Sequence, residues 1–366
     1  MGYGIDDIRI EALLPALGRA EDRLARLDER VARSPIGEGF RERNHFYDAA
    51  ASMWIAGELV HIEDLVLHDA SMDVRTPTHE LTQAHAILRS RRRLWRETAS
   101  WGIGAAGMAT LRGRTALPEA DVADDEDPTD ELDDDAIAVR DALQAEYAEL
   151  DAALASAERL LQGNDDTAAR SAQSDPRLLI YDPDWDEDAR LSEWRDLMSQ
   201  VERHPPALAA AILWEAWETA EPLQRQHWLG NVLVGAYLRS RGKVTSHLFG
   251  LAAGLKTIPR ERRRARTRAE RIAACLDAMA AAADADLETL NRLHLARGQI
   301  EHRLRGRRSS SSLPAVVDLL FSRPIVSAGM IAEAVKVTPR GALSLIGELG
   351  VREMTGRGRY RAWGVL

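Results

Sequence analysis

The sequence predicts a mainly α-helical protein, in which a bundle of helices forms the body and a small winged-helix (α+β) domain ends the chain. Apolar residues recur at the helical period of about 3.6 throughout residues 5–304. Strand-like segments are confined to residues 351–366, and residues 324–350 hold two short amphipathic segments separated by a tight break. With 366 residues, of which 45% are hydrophobic, the chain can bury the cores of two or three domains.

Residues 1–117 are predicted to form an N-terminal helical region. The apolar pattern indicates a first helix that ends before SPIGEG, a second over residues 40–59, and one or two more over residues 78–111. Residues 118–135 follow, with 11 acidic residues, no basic residue and two prolines, a composition that cannot bury enough apolar surface to order itself. We interpret them as a flexible acidic linker. Its role is either that of a solvated loop or that of an internal DNA mimic competing for the basic end of the chain.

Residues 136–308 are predicted to form the helical core of the body, with basic helices at its C-terminal end. The periodicity places helices over residues 136–161, 187–202, 205–220, 223–241, 245–253, 259–282 and 286–304. The single cysteine, Cys275, lies in an alanine-rich stretch and is expected to be a buried structural thiol. A serine run separates the body from the winged helix, residues 313–366. It predicts a protease-sensitive segment at residues 305–312, whose cleavage is expected to release a small soluble fragment.

Composition and charge exclude several classes of protein. The chain has no run of about 18 uncharged apolar residues, and its N-terminus is acidic where a signal peptide needs basic residues, so we expect a cytoplasmic protein with no membrane partner. The formal net charge is -10, yet residues 256–366 contain 21 basic and 11 acidic residues. This basic C-terminal third is typical of a segment that binds nucleic acid.

The winged helix is predicted from the order of its capping, apolar and turn residues. Residues 313–322 indicate a first helix, Ser327 is expected to cap a second, and Thr338 is expected to cap a third. The apolar residues that return the third helix to the core are Ala342, Leu345, Ile346 and Leu349. Residues 351–365 then predict two short strands around a Gly-Arg-Gly turn, which is a wing.

The exposed positions of the third helix and of the wing are the predicted DNA contacts. The N-terminal residues of a recognition helix meet base edges in the major groove, and wing arginines suit phosphate or minor-groove contact. The basic run of residues 259–271, with seven arginines, is expected to add phosphate contacts. The predicted DNA-binding residues are Thr338, Arg340, Ser344, Arg352, Arg357, Arg359, Arg361, Arg262, Arg263 and Arg264. The alternative is a winged helix that docks on another protein.

Two stretches of the body, residues 51–60 and 204–242, resemble parts of the Fic family. In the second stretch a helix rich in alanine and tryptophan is interrupted at Glu221-Pro222, and a short polar loop precedes another helix. Fic proteins carry the loop H-P-F-x-[DE]-G-N-G-R-x-x-R at a helix N-terminus and transfer AMP or a related group to protein hydroxyls. The resemblance implies a Fic-like helical bundle. It also implies that the family's histidine acts as a base, its acid holds magnesium and its helix N-terminus binds phosphate.

The chain departs from the Fic loop at each position that carries chemistry. Glu221 stands in place of the histidine, Arg225 in place of the acid and Val232 in place of the last arginine. A register that uses Gly230-Asn231 as the remnant of G-N loses the His-Pro spacing. The degenerate loop residues are Glu221, Pro222, Leu223, Arg225, His227 and Trp228. We therefore expect no catalytic residue, no metal and no cofactor.

The upstream stretch departs from the family in a matching way. Many Fic proteins carry a helix with S-x-I-E-G, whose glutamate occupies the ATP phosphate site and represses the enzyme. Residues 52–57 (SMWIAG) are similar, with Ala56 in place of that glutamate. An inhibitory carboxylate has no target once the nucleotide loop is lost, so the paired changes indicate a retired active site.

The remaining candidates for chemistry are interpreted as structural. The histidines of this region are His204, His227 and His247, and their spacing is not that of a metal site. The acids of residues 182–188 lack the glycine of a calcium loop. Trp214 and Trp217 are expected in the core, whereas Glu215 and Glu218 are expected to be solvated carboxylates.

These features predict a DNA-binding transcriptional regulator that acts as a homodimer on a near-palindromic site in double-stranded DNA, with the helical body free to bind a protein partner. Two alternatives stay open: a Fic-type nucleotidyl transferase with a divergent loop, and a toxin-antitoxin or partner-docking protein. The layout also resembles a family of rhizobial and other alphaproteobacterial proteins with a C-terminal winged helix. That resemblance implies a replicon-borne regulator and no particular activity.

Overall fold

Helices dominate the chain, as the apolar periodicity predicts. The structure is a computed structural model and describes residues 10–73, 76–113, 185–305, 312–355 and 361–365. The helices of the body are α1 (Ile10–Ala32), α2 (Gly37–Ala56), α3 (Ile62–Asp69), α4 (His79–Arg96), α5 (Ala105–Leu111), α6 (Glu187–Val201), α7 (Pro206–Ala220), α8 (Leu229–Ser240), α9 (Leu251–Leu255), α10 (Arg260–Arg263) and α11 (Arg268–Leu304). The predicted acidic linker, residues 118–135, and the predicted helix over residues 136–161 lie outside the described residues.

The hydrophobic helix α7 lies at the centre of the body. Residues 207–217 of this helix are all buried, including Trp214 and Trp217, which confirms that these tryptophans belong to the core. Trp217 packs edge to face against Trp194 of α6, with ring centroids 5.3 Å apart. Because most faces of α7 are apolar, the helix must be covered by several neighbours. Helices α1, α6, α8 and α11 provide that cover.

The first and the last helix of the body pack along each other. Helix α1 turns its buried leucines, among them Leu17 and Leu24, toward the core. Ion pairs flank this contact, since Arg19 lies 2.8 Å from Asp277 and Arg23 lies 3.0 Å from Asp284. Cys275 of α11 is fully buried, as expected, and burial raises the pKa of its thiol.

The helix predicted over residues 245–253 is wrong, because tertiary contacts hold residues 245–250 in an irregular, non-helical conformation. The backbone N–H groups of Thr245 and Ser246 donate to Asp28 Oδ1, at 2.8 and 2.7 Å. Buried Arg91 donates to the carbonyl of Leu248 at 2.9 Å and pairs with Asp48 at 2.5 Å. Local apolar spacing carries no sign of such distant partners, and the short helix α9 begins only at Leu251.

Two further boundaries differ from the prediction. The helices expected over residues 259–282 and 286–304 are the short α10 and the continuous α11, which starts at Arg268 with a capping box between Thr267 and Glu270. No glycine or proline interrupts residues 268–297, so α11 continues through the expected break. Helix α8 begins at Leu229 rather than near residue 223, because residues 221–228 form the loop described below.

The C-terminal region forms a winged helix. Its helices are α12 (Leu313–Ser322), α13 (Ala328–Ala334) and α14 (Pro339–Leu349), and its strands are β1 (Val326–Ser327), β2 (Arg352–Glu353) and β3 (Ala362–Gly364). Strand β3 lies in the middle of an antiparallel sheet, with Val326 opposite Trp363 and Arg352 opposite Gly364. The predicted caps are confirmed: Ser327 Oγ accepts from Met330 N, and Thr338 Oγ1 accepts from Gly341 N, each at 3.2 Å.

The winged helix packs on the body through α12. Helix α12 lies against α2 at Gly39, where a Cβ would lie 3.0 Å from the carbonyl oxygen of Phe321. Arg323, which follows α12, pairs with Glu42 at 2.6 Å and with Asp69 at 3.2 Å. At the other end, Arg303 of α11 donates to the carbonyls that end α14. The winged helix is therefore held from two sides.

No helix in the described ranges is both long enough and apolar enough to span a membrane.

Candidate DNA interface and the cavity of the helical body

The recognition helix α14 presents one polar face to solvent. Its core face is the predicted one, because Ala342, Leu345, Ile346 and Leu349 are all buried. The opposite face carries Arg340 and Ser344, which are both exposed. Thr338 is exposed at the N-terminus of the helix, where its hydroxyl also caps the first turn. Three of the predicted DNA-binding residues therefore share the accessible start of α14.

An apolar residue on the same face was missed by the sequence reasoning. Leu343 lies between Arg340 and Ser344 with 43% of its surface exposed. A leucine in this position can contact the methyl group of thymine in the major groove. The signal that could have revealed it is the helical spacing, since residue 343 falls outside the core positions 342, 345, 346 and 349.

The wing carries its arginines unequally. Arg352 is exposed at the start of β2. Arg361 is exposed too, but it pairs with Glu353 at 2.7 Å and stacks over the Trp363 ring at 5.2 Å. Arg357 and Arg359 lie outside the described residues. In the described part of the wing Arg352 is exposed, whereas Arg361 is engaged by Glu353 and the Trp363 ring.

The two Fic-like stretches meet around one cavity of the body. This cavity, of about 460 Å³, is lined by Ser52 and Ala56 from the end of α2, and by Glu221, Arg225 and His227 from the loop between α7 and α8. We call it the central cavity. Its volume is within the usual range of small-molecule sites. The structure therefore brings together the two segments that sequence resemblance links, although they are far apart in the chain.

The loop between α7 and α8 has a shape of its own. Glu221 adopts a left-handed conformation (φ 43°), and Pro222 and Leu223 turn inward and are buried. The N–H of Gln224 donates to Glu187 Oε1 at 3.0 Å, and the N–H of Leu229 donates to the Gln226 carbonyl at 2.9 Å. These two N–H groups are thus engaged within the protein.

Gly230 and Asn231, the alternative remnant of the Fic motif, serve packing. A Cβ at Gly230 would overlap the indole ring of Trp217, so the absence of a side chain lets that ring lie on the first turn of α8. Asn231 Oδ1 accepts from Trp214 Nε1 at 3.0 Å in the core. The ring of Trp217 therefore packs against the first turn of α8, and its Nε1 donates to the His227 carbonyl at 3.2 Å.

The charged residues of the central cavity include acids and bases. Glu218 is accessible from the cavity, where enclosure by the walls raises the pKa of its carboxyl and Arg264 and Arg263 partly offset that rise. Arg263 also donates to the Ile258 carbonyl at 3.1 Å. Arg262 points elsewhere and pairs with Asp277 at 2.7 Å. The predicted phosphate contacts of these three arginines stay a prediction, with Arg263 and Arg264 directed to the central cavity.

Glu215 corrects an expectation, because it is not solvated. It is 1% exposed and binds two arginines of α11, Arg268 at 3.0 Å and Arg271 at 2.5 Å. The spacing of Glu215 and Glu218 on α7 indicated two equivalent carboxylates. The neighbouring helix buries one of them and leaves the other in the cavity.

The three histidines do not converge. His227 lines the central cavity, whereas His247 is fully buried beside Phe40, where burial lowers the pKa of its ring to about 4. His204 lies at the turn before α7. Among the described residues no group of three or more histidine, cysteine, aspartate or glutamate side chains is arranged to hold a metal ion.

Comparison with known proteins relates both parts of the chain to described families. Residues 179–305 match the family described as a protein of unknown function (DUF1612), and residues 313–366 match an HTH DNA-binding domain. The second match covers α12, α13, α14 and the wing, and it confirms the predicted helix-turn-helix. The C-terminal segment is thus similar to an HTH DNA-binding domain over residues 313–366.

A relative aligns along the whole length. The uncharacterized protein y4cF of Sinorhizobium fredii (strain NBRC 101917 / NGR234) is 45% identical over 383 residues, which cover 100% of each chain. The chain belongs to the y4cF family. A solved structure, that of a Fic family protein from Desulfovibrio desulfuricans G20, is similar with a TM-score of 0.46 and 13% identity over 99% of this y4cF-family chain and 97% of that chain.

Proposed function

We propose that the protein is a transcriptional regulator that binds double-stranded DNA as a homodimer and whose helical body has no catalytic activity. The observation that carries the proposal is the open face of α14, with Arg340, Leu343 and Ser344 accessible at the end that enters the major groove in helix-turn-helix proteins. A homodimer is proposed because such helices usually read two half-sites related by a two-fold axis.

The absence of catalysis is proposed from the loop between α7 and α8. A Fic-type transfer needs a base, a metal ligand and free N–H groups for phosphate. Here Glu221 and Arg225 take the places of the base and the acid, and the Trp217 ring lies over the first turn of α8. These features favour a body that binds without reacting.

DNA binding is tested with the full chain. Duplexes are selected from a random library and titrated with wild type and Arg340→Ala at several salt concentrations. Arg340→Ala should lose about 1–3 kcal/mol on the selected site and should lose sequence preference, because Arg340 lies at base-reading positions. Arg357→Ala should weaken all duplexes by a similar factor and lower the salt slope by about one.

The matched control is Arg33→Ala, which removes the same charge from a position 81% exposed beyond the end of α1. It should leave the preference for the selected site intact. A chain that selects no sequence, or an Arg340→Ala variant that binds like wild type, would show that the winged helix docks on protein instead.

The catalytic part of the proposal is tested by calorimetry with ATP and magnesium. We expect no saturable heat and no labelling of protein by labelled ATP. Micromolar ATP binding that Arg225→Ala or Trp228→Ala abolishes would favour the nucleotidyl transferase instead.

A further inference from the structure

A second, smaller cavity lies where the body meets the winged helix. It has a volume of about 190 Å³ and lies between α2, α11 and the residue after β3, Val365. We call it the Arg43 cavity, because Arg43 of α2 lines it while being only 3% exposed. Arg43 donates to the carbonyls of Arg323 at 2.7 Å and Val365 at 2.8 Å, which are both parts of the winged helix.

No acid among the described residues forms an ion pair with Arg43. Its partners are backbone carbonyls and the Tyr47 hydroxyl, and its Nε–H has no partner among the described residues. Burial lowers the pKa of this guanidinium, and Arg292 of α11, which lines the same cavity, lowers it further. Neither arginine forms an ion pair with a described residue. A buried charge without a counter-charge is costly, which makes this a place where an anion is stabilised.

The other walls restrict the kind of anion. Phe40, Leu293 and Val365 are apolar and buried, so the cavity suits a ligand with a hydrocarbon part. Asp286 is the acid of the lining; Asn44 Nδ2 donates to it at 3.0 Å. Burial and the nearby Asp48 carboxylate raise the pKa of Asp286 to about 7, so at neutral pH it carries only part of its charge.

We propose that the Arg43 cavity binds a small organic carboxylate. Arg43 and Arg292 would supply the two positive charges that attract the carboxylate, and the exposed Arg292 guanidinium would donate to it, since planar guanidinium forks match carboxylates. The apolar walls would hold the short hydrocarbon part, which inorganic phosphate lacks.

The site also has a consequence for DNA, which rests on the proposed function. Arg43 holds Arg323 and Val365 of the winged helix, so a carboxylate on Arg43 changes the strength of that attachment. The ligand therefore biases the position of the winged helix, and with it the affinity for the selected duplex.

The direct test is calorimetry of the full chain at pH 7 in a low-salt buffer, with propionate as the probe and with phosphate and tetramethylammonium as comparators. Propionate should bind saturably and more tightly than either comparator. Arg292→Gln should weaken propionate by about tenfold or more, because one of two converging charges is lost. Asp286→Asn should tighten it several-fold, because a repelling carboxylate is removed.

Arg33→Gln is the matched control, and it should bind propionate as wild type does. Because Arg292 is exposed, Arg292→Gln should leave the fold intact. The melting temperature of this variant without ligand checks that it does. The proposal is overturned by no saturable binding, by phosphate binding more tightly than propionate, or by tetramethylammonium binding that Asp286→Asn abolishes. These measurements need no DNA. The coupling to DNA is tested separately, by measuring DNA affinity with and without propionate. An unchanged affinity would contradict the coupling but not carboxylate binding itself.

Discussion

Gly230 shows how one missing side chain determines what the degenerate loop can do. The ring of Trp217 lies on α8 only because residue 230 has no Cβ. In the alternative register of the Fic resemblance this glycine would belong to the phosphate-binding motif, whereas here it accommodates an indole ring. The role of Gly230 in this chain is packing.

We predict that Gly230→Ala destabilises the protein by about 1–3 kcal/mol, because the added methyl group overlaps a buried ring. Gly298→Ala is the control: it lies in α11 with nothing within 4 Å of the added Cβ, and it should stabilise by about 0.5–1 kcal/mol. Urea unfolding of both variants measures the difference. If Gly230→Ala is as stable as wild type, the indole ring does not occupy the start of α8.

The sequence identified many of these residues but not their surroundings. Thr338 and Ser327 were predictable as caps, because a capping side chain acts within its own turn. The burial of Glu215 was not predictable, since its partners Arg268 and Arg271 lie on a helix more than fifty residues later.

At the scale of elements, Glu215 joins the central helix α7 to the start of α11. Its two arginines both lie in the first turn of α11, so the ion pairs hold the start of that long helix against α7. Glu218 lies one turn further along α7 but faces the central cavity.

We predict that Glu215→Gln lowers the free energy of unfolding by roughly 2–4 kcal/mol, because two partly buried arginines lose their counter-charge. Glu218→Gln, the same change on the same helix, should stay within about 0.5 kcal/mol of wild type, because solvent in the cavity reaches that carboxylate. Chemical unfolding measures the stability of both variants. Equal stability of Glu215→Gln and Glu218→Gln would mean that the ion pairs of Glu215 contribute nothing.

Elements with their own start and stop signals were predicted well, and those shaped by distant partners were not. Helices α6, α7 and α14 lie close to the predicted ranges, because periodicity and local caps define them. The helix predicted over residues 245–253 did not form as expected, because Asp28 and Arg91 bind backbone groups of this segment. The resemblance to the Fic family linked the two Fic-like stretches before the structure was known. The volume and the lining residues of the central cavity could be found only from the structure.

At the scale of the whole molecule, the winged helix is attached to the body by side chains from both α2 and α11. Arg43 binds carbonyls on one side of it, and Arg303 donates to Leu349 and Gly350 at 3.1 Å on the other. The connecting residues 306–311 lie outside the described residues. Both attachments are made by side chains that belong to the body, Arg43 of α2 and Arg303 of α11.

We predict that trypsin cleaves near residues 305–308, as the arginine and serine run indicates, and that the winged helix stays bound after cleavage. A denaturing gel should show two fragments, and size-exclusion chromatography without denaturant should show a single peak. Arg43→Gln should release part of the small fragment, because its bonds to Arg323 and Val365 are lost. A small fragment that leaves the wild-type body after cleavage would contradict the docking described for α12.

Helix α11 contains 37 residues and is therefore about 55 Å long. Glu215 binds the first turn of α11, near the central cavity. Arg303, one residue before the end of α11, donates to the Leu349 carbonyl at the end of the recognition helix α14. If a helix of this length tilts by about 5° about one end, its other end moves by about 5 Å, close to the rise of one helical turn. A small tilt of α11 at the central cavity would therefore displace α14 by enough to shift it along a DNA groove.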